Sequence, residues 1–370
     1  MSIVFSRRDF GKLALVGSAL GSIALNGPLR AASSRPDSRI AGVRIGVISS
    51  AFGSMPVAQI IPAMLQIGLS EIELTAAHAE ALAGAPSASV VPPVMPLISP
   101  VLNAEGLQPR CAQLPLVLPY SITAGEPARV ATVLTAEQQA EQSRLQSRLR
   151  EWRAATTPAT WQAVRRQFED AGITVRVLWS GMGYVGPVPT DADIDYAFRM
   201  ARGLGVSVLS GSSKLAIAPR IARAAATHGI LWAGHTQDNI HNPELFATPE
   251  AYDKLLALGP QMRICLDIGY FTAAGFDSVS YIRQHHSRIA EIHLKDRKRS
   301  RSLGGDVTHN LVNNWPWGQG DTPIRGVLQL LRDEKYDIPV QIEFDHGCRT
   351  TSGAVTEIAR CFAYCREALA

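Results

Sequence analysis

Eight short apolar runs of strand-like composition alternate with segments of helical periodicity along this chain, and that alternation limits the fold more than any other feature. The runs span 43–49, 71–74, 173–179, 206–209, 230–233 (closing on Gly234-His235), 262–267, 289–293 and 338–343. Helices are predicted over 60–67, 135–154, 157–172, 191–202, 215–228, 249–258 and 324–332, with a closing helix over 353–368. Gly68, Gly172 and Gly203 to Gly205 supply stops, and Thr157-Pro158 pre-sets a first helical turn. A strand that returns to the same end of a sheet through a helix must pair in parallel. Eight such units argue for an α/β fold closed into a (β/α)8 TIM barrel over residues 40–370.

One region breaks the alternation. Residues 84–128 carry Pro92-Pro93, Pro96, Pro100, Pro115 and Pro119 among Ala, Ser and Val. Proline at this density excludes an ordinary helix or central strand. The segment is expected to be an irregular, Pro-rich insertion after the second strand, lying over the C-terminal face of the barrel. At the other extreme of order, Thr135 to Ala154 reads as the clearest helix: it is rich in Glu and Gln, with a stripe at Leu145, Leu149 and Trp152.

Residues 1–33 read as an export signal. Ser6-Arg7-Arg8-Asp9-Phe10-Gly11-Lys12 precedes a mildly apolar, Gly/Ala-rich run to Leu25, and Ala31-Ala32 offers a small-residue cleavage site. Adjacent arginines before such a run mark a twin-arginine signal. The run is too short and too weakly apolar for a membrane anchor. The expected location is therefore periplasmic or otherwise exported, with no stable membrane span after cleavage.

The remaining chain is long enough for one large core, and its 46% hydrophobic content is globular. Net charge is a modest +4. The basic run Arg297, Lys298, Arg299 and Arg301 is either a solvated loop or a contact for an anionic or polar ligand at a site rim. Aromatics are only 6% and do not interleave with it, so nothing indicates a nucleic-acid surface. Of Cys111, Cys265, Cys348, Cys361 and Cys365, none has zinc-ribbon spacing. Cys361 and Cys365 share a helix face, and Cys265 reads as a small core residue.

The last third of the chain carries the chemistry. The runs 262–267, 289–293 and 338–343 stop on Asp267, His293 and Glu343. In a parallel barrel the C-terminal strand edge is where active sites are built. Carboxylate oxygens with imidazole nitrogen suit a divalent cation. The competing reading is three unrelated buried polar residues. Other candidates are weaker. Lys295 lies two residues past His293 and projects from the same face, or pairs with Asp296 or Glu291. Glu73 on the second strand either approaches the site or is a barrel-layer carboxylate paired with an Arg. Lys214 is placed to meet a carbonyl oxygen. Trp317, beside Trp315 in a Gly-rich loop, stacks a sugar ring or simply packs the loop. His346 is a general acid or a surface residue. No GxGxxG follows the first strand, which weighs against a dinucleotide fold and a redox role.

Residues from about 170 to 345 resemble the sugar phosphate isomerase/epimerase family, the xylose isomerase-like TIM barrels. The resemblance is carried by 191–206, Leu266-Asp267-Ile268-Gly269-Tyr270, Ile292-His293-Leu294-Lys295-Asp296-Arg297, Pro316-Trp317-Gly318-Gln319-Gly320-Asp321-Thr322-Pro323-Ile324 and Ile342-Glu343-Phe344. It implies one divalent metal held by Glu, Asp, His and Glu from strand ends. Asp267, His293 and Glu343 match three of these, and the fourth position falls on His235. Two histidines and two carboxylates suit Mn, Zn, Co or Fe better than Mg. Tyr270 stands where relatives often place a substrate-binding His, and could donate a hydrogen bond or move a proton.

The resemblance further implies a metal-dependent isomerase or epimerase that abstracts a proton next to a carbonyl, with Glu343, Lys295, Tyr270 and Glu73 as candidate catalytic groups. Lys214, Trp317, Arg297 and His346 are the candidate substrate contacts. Export favours a free sugar or keto-sugar over a phosphorylated one. The alternatives are a 3-keto-glycoside lyase of the same fold, or a non-catalytic sugar-binding or partner subunit, motivated by the missing strand-five Glu. A homo-oligomer is compatible with either. An endonuclease, known among distant relatives, is disfavoured by export and by the few ligands.

Overall fold

The structure is a computed structural model that describes residues 35–87, 135–184, 187–237, 239–299, 314–345 and 351–370. The export signal at 1–33, the insertion from residue 88 onward, Arg301 and His346 lie outside the described residues. Among the described residues no helix is long and apolar enough to cross a membrane.

Eight parallel strands close on themselves. They are β2 (Val43–Ile48), β3 (Glu71–Thr75), β4 (Thr174–Trp179), β5 (Val208–Gly211), β6 (Leu231–His235), β7 (Met262–Asp267), β8 (Ile289–Leu294) and β9 (Val340–Ile342). Each pairs with the next, and β9 returns to β2 through Ile45–Val340 and Val47–Ile342, so no barrel edge is left. The expected (β/α)8 barrel is therefore the observed fold.

A two-residue strand, β1 (Arg39–Ile40), precedes the barrel and pairs antiparallel with β2. Ala41 and Gly42, with φ of 46° and 88°, form its turn, the left-handed pair that a two-residue hairpin requires. The sequence reading passed over β1 because two residues carry no alternation.

Most helices sit where periodicity placed them, and the differences have local causes. Strand β5 starts two residues later than expected because Val206 belongs to the preceding helix end. Its N–H donates to Ala201 O behind Gly205, which caps the helix Asp191–Leu204 in the left-handed region. The opposite end of that helix is a capping box between Thr190 and Asp193. Three short helices were not anticipated: Ala76–Leu82, which follows β3 directly, and Ile268–Ala273 and Ser278–His285 after β7.

The apolar core lies between sheet and helices, built from Ile45, Val47, Ile72, Leu74, Leu178, Leu209, Trp232, Leu266, Ile292 and Ile342 on the strands and Phe168, Phe198, Tyr252, Leu328 and Phe362 on the helices. The helices that flank the Pro-rich segment in sequence are tied together. Arg153, from the helix Ala136–Ala155, grips Glu80 from the helix Ala76–Leu82 with two hydrogen bonds of 2.7 and 3.1 Å. Tyr196 adds a third at 2.8 Å. All three are buried, with Trp152 and Trp161 packed edge-on beside them.

Candidate metal centre

Four adjacent strands deliver one donor each to the same point. His235 ends β6, Asp267 ends β7, His293 lies one residue before the end of β8, and Glu343 follows β9. One ligand atom from each lies within 4.8 Å of all the others. His293 Nδ1 is 3.1 Å from His235 Nε2 and 2.9 Å from Glu343 Oε2. His235 Nε2 is 3.9 Å from both Asp267 Oδ2 and Glu343 Oε2. The expected quartet is brought together, including His235.

The backbone holds these groups in place. The Asp267 N–H donates to Thr236 Oγ1 at 2.9 Å, locking the ends of β6 and β7 to each other. Asp267 Oδ1 then accepts from Tyr270 N, capping the helix Ile268–Ala273, which leaves Oδ2 facing the cluster. Register shifts in β3 at Ile72/Glu73 and in β7 at Ile264/Cys265 re-aim the side chains that follow, a common use of irregular pairing beside active sites.

Lys295 is the counter-charge. Its ammonium lies 2.7 Å from Glu343 Oε1, 2.9 Å from Asp345 Oδ2 and 3.2 Å from Asp267 Oδ2, and the side chain is buried. The alternative pairing with Asp296 or Glu291 is not what forms. Asp296 is instead the hub of the loop that follows β8, accepting backbone hydrogen bonds from Gly318, Gly320 and Thr322. Gly320 passes so close to this carboxylate that a Cβ would lie 1.9 Å from Asp296 Oδ1, which excludes any larger residue there.

Electrostatics follow from this crowding. Burial works against an ionised Glu343, but the Lys295 ammonium and the neighbouring His235 and His293 imidazoles outweigh it and hold the carboxyl well below its ordinary range. Burial likewise opposes the Lys295 charge, and Asp267, Asp345 and Glu343 override it, so the ammonium persists. Burial, and then the neighbouring Glu73 charge, push the Glu291 carboxyl well up. Glu73 is drawn down against burial by the charge of His293 and by hydrogen bonds to His293 and Ser210.

The remaining candidates are placed as follows. Tyr270 lies with its ring 4.2 Å from Lys295 Nζ and 4.5 Å from the Arg297 guanidinium carbon, edge-on to His235. Arg297 is buried, whereas Lys298 and the Arg299 backbone are held by Asp321, so the basic run divides instead of acting as one surface. Trp317 packs edge-on against Tyr364 and is partly buried. Lys214 is half-buried in the turn after β5, where its carbonyl accepts from Ile217 and Ala218. Glu73 is fully buried, and its carboxylate meets His293 Nε2 at 2.9 Å rather than an arginine. The arginine partner belongs to Glu71, gripped by Arg176 at 2.8 and 3.0 Å.

Three participants were not singled out from sequence: Asp345, Ser210 and the position of Glu291. Asp345 and Glu291 lie two residues from Glu343 and His293, the strand period that would have placed them on the same face.

The donor set fits a divalent ion of the Zn, Mn, Co or Fe type. It offers two imidazole nitrogens and two carboxylates at the C-terminal barrel edge, and Asp267 Oδ2, buried and 3.2 Å from the Lys295 ammonium, accepts no hydrogen bond among the described residues.

No family model matches the chain, and no curated protein matches it in sequence. Solved structures do match. The probable 3-DHS dehydratase AsbF, involved in petrobactin synthesis, from Bacillus anthracis, is 13% identical with a TM-score of 0.53, over 85% of this chain and 97% of that one. The IOLI protein with a bound zinc atom is 11% identical with a TM-score of 0.53, over 88% and 98%. A xylose isomerase domain protein from Alicyclobacillus acidocaldarius is 11% identical with a TM-score of 0.51, over 88% and 99%. At these identities the likeness is one of fold: the chain shares the (β/α)8 barrel of xylose isomerase-like proteins.

Proposed function

We propose that this protein is a divalent-metal-dependent enzyme that abstracts a proton next to the carbonyl of a sugar or keto-sugar, giving isomerisation or epimerisation. The observation that carries the reading is the convergence of His235, Asp267, His293 and Glu343 within 4.8 Å. The IOLI protein, which has a similar fold, binds a zinc atom, and this supports a metal in a barrel of this kind. A bound cation would polarise the substrate carbonyl and stabilise charge that develops on its oxygen.

The chain's own residues do the rest. Glu343, kept ionised by Lys295 and the two imidazoles, is the proton acceptor. Lys295 stays protonated and balances the negative charge gathered at the barrel mouth. Tyr270, ordered over Lys295 and Arg297, orients the substrate at the rim. With residues 1–33 read as an export signal, the substrates proposed are free sugars or glycosides outside the cytoplasm.

One observation favours a second reading. Asp267, Glu343 and Asp345 all gather around Lys295, while the other adjacent acid, Glu73, is buried against His293 Nε2. A single-sided base suffices for β-elimination of a 3-keto-glycoside, whereas epimerisation uses groups on two faces. The test is solvent deuterium incorporation. Metal-loaded enzyme is incubated with a panel of ketoses and 3-keto-glycosides in D2O and read by NMR. Exchange at the carbon next to the carbonyl, abolished in Glu343→Gln, is the expected result, and released aglycone identifies the lyase. No exchange with any substrate by fully loaded enzyme would reject proton abstraction.

A further inference from the structure

Below the metal donors, the barrel interior is polar where barrels of this kind are filled by branched aliphatic chains. Glu73, Ser210, Cys265, Glu291 and Gln341 are all fully buried there. Strands β3 and β8 do not pair, so the contact of Glu73 with His293 crosses the lumen. The His293 ring is divided between two tasks. Its Nδ1 faces His235 and Glu343, and its Nε2 lies 2.9 Å from Glu73 Oε2. Glu73 is itself braced, because Ser210 Oγ donates to its other oxygen.

We propose that Glu73 is a positioning residue: it holds the proton of His293 on Nε2 and fixes the ring, so that Nδ1 presents its lone pair to the metal. A carboxylate behind a ligating histidine sets both tautomer and ring orientation. Glu291, although on the same strand as His293, does not share the task. Its carboxylate is 3.9 Å from Nε2, beyond hydrogen-bond reach, against 2.9 Å for Glu73. The two buried acids beneath one ligand are therefore inequivalent. This inference rests on the metal reading above.

The experiment measures zinc affinity by chelator competition for the wild type, Glu73→Gln and Glu291→Gln, with circular dichroism to establish folding. Glu73→Gln should weaken zinc about 10–100-fold, while Glu291→Gln stays within about threefold. Nitrogen-15 NMR of the zinc-loaded wild type should show the remaining His293 proton on Nε2, slow to exchange, and this readout stands if Glu73→Gln fails to fold. Equal affinities, a proton on Nδ1, or two zinc ions per chain with one lost in Glu73→Gln would overturn the positioning role while leaving the metal reading in place. A wild type that binds no zinc would overturn both.

Discussion

Between the helices Ala76–Leu82 and Ala136–Ala155, Glu80, Arg153 and Tyr196 are buried together; at the mouth of the barrel, Asp267, His293 and Lys295 are buried beside a half-buried Glu343. Both clusters mix acids with a base and a ring. In the first, the Arg153 fork matches the Glu80 carboxylate, Tyr196 adds a third bond, and no side-chain polar atom of the three is left without a partner. In the second, Asp267, Glu343 and Asp345 share one ammonium, and Asp267 Oδ2, 3.2 Å from that ammonium, and His235 Nδ1 make no hydrogen bond among the described residues. A cluster that satisfies itself is built to hold helices in place. A cluster that leaves buried acceptors unmet gives up stability for a positive charge supplied from outside, and this is how a functional site is recognised.

Substitutions should separate the two clusters. The largest effect is expected at the site: Glu343→Gln should slow deuterium exchange by about 10²–10⁴-fold, with only a modest fall in melting temperature, because Lys295 loses one counter-charge but keeps Asp267 and Asp345. Arg153→Met should do the reverse. It strands Glu80 in an apolar environment and should cost about 3–5 kcal/mol of stability in denaturant unfolding, with zinc affinity unchanged.

A third prediction concerns pH. His78 is buried with Nδ1 2.9 Å from Ser49 Oγ, and burial lowers its pKa to about 4 from an ordinary 6.5. Between those values the unfolded chain binds a proton that the folded chain does not. The stability from the neutral ring is therefore full above pH about 6.5 and is lost as pH falls toward about 4, on the order of 3 kcal/mol in total. His78→Asn should flatten that slope in urea unfolding measured across the window. The smallest effect is Tyr196→Phe, about 1 kcal/mol, since one hydrogen bond to Glu80 is lost while the Arg153 fork remains.

Three strand ends were legible because the runs 262–267, 289–293 and 338–343 stop on Asp267, His293 and Glu343, while His235 came from the resemblance. Contacts across the lumen were not legible. Alternation puts Glu71 and Glu73 on one face, but only the barrel's closure and the irregular β3–β4 register decide that Arg176 takes Glu71 and His293 takes Glu73. The partners of Lys295 were left open for a similar reason. Its partners Asp267, Glu343 and Asp345 come from β7 and the segment after β9, whereas Asp296, next to it in sequence, accepts the backbone hydrogen bonds of the following loop. The helix Ala76–Leu82 escaped notice because it abuts β3 and stands next to a segment without periodicity.

The central claim is a metal centre of two histidines and two carboxylates, and metal content by mass spectrometry on the purified wild type beside His235→Ala tests it most directly. The account predicts about one tightly held divalent ion per wild-type chain, lost or loosened in the variant. No ion in either protein, even after reloading with Zn, Mn, Co and Fe, would contradict it.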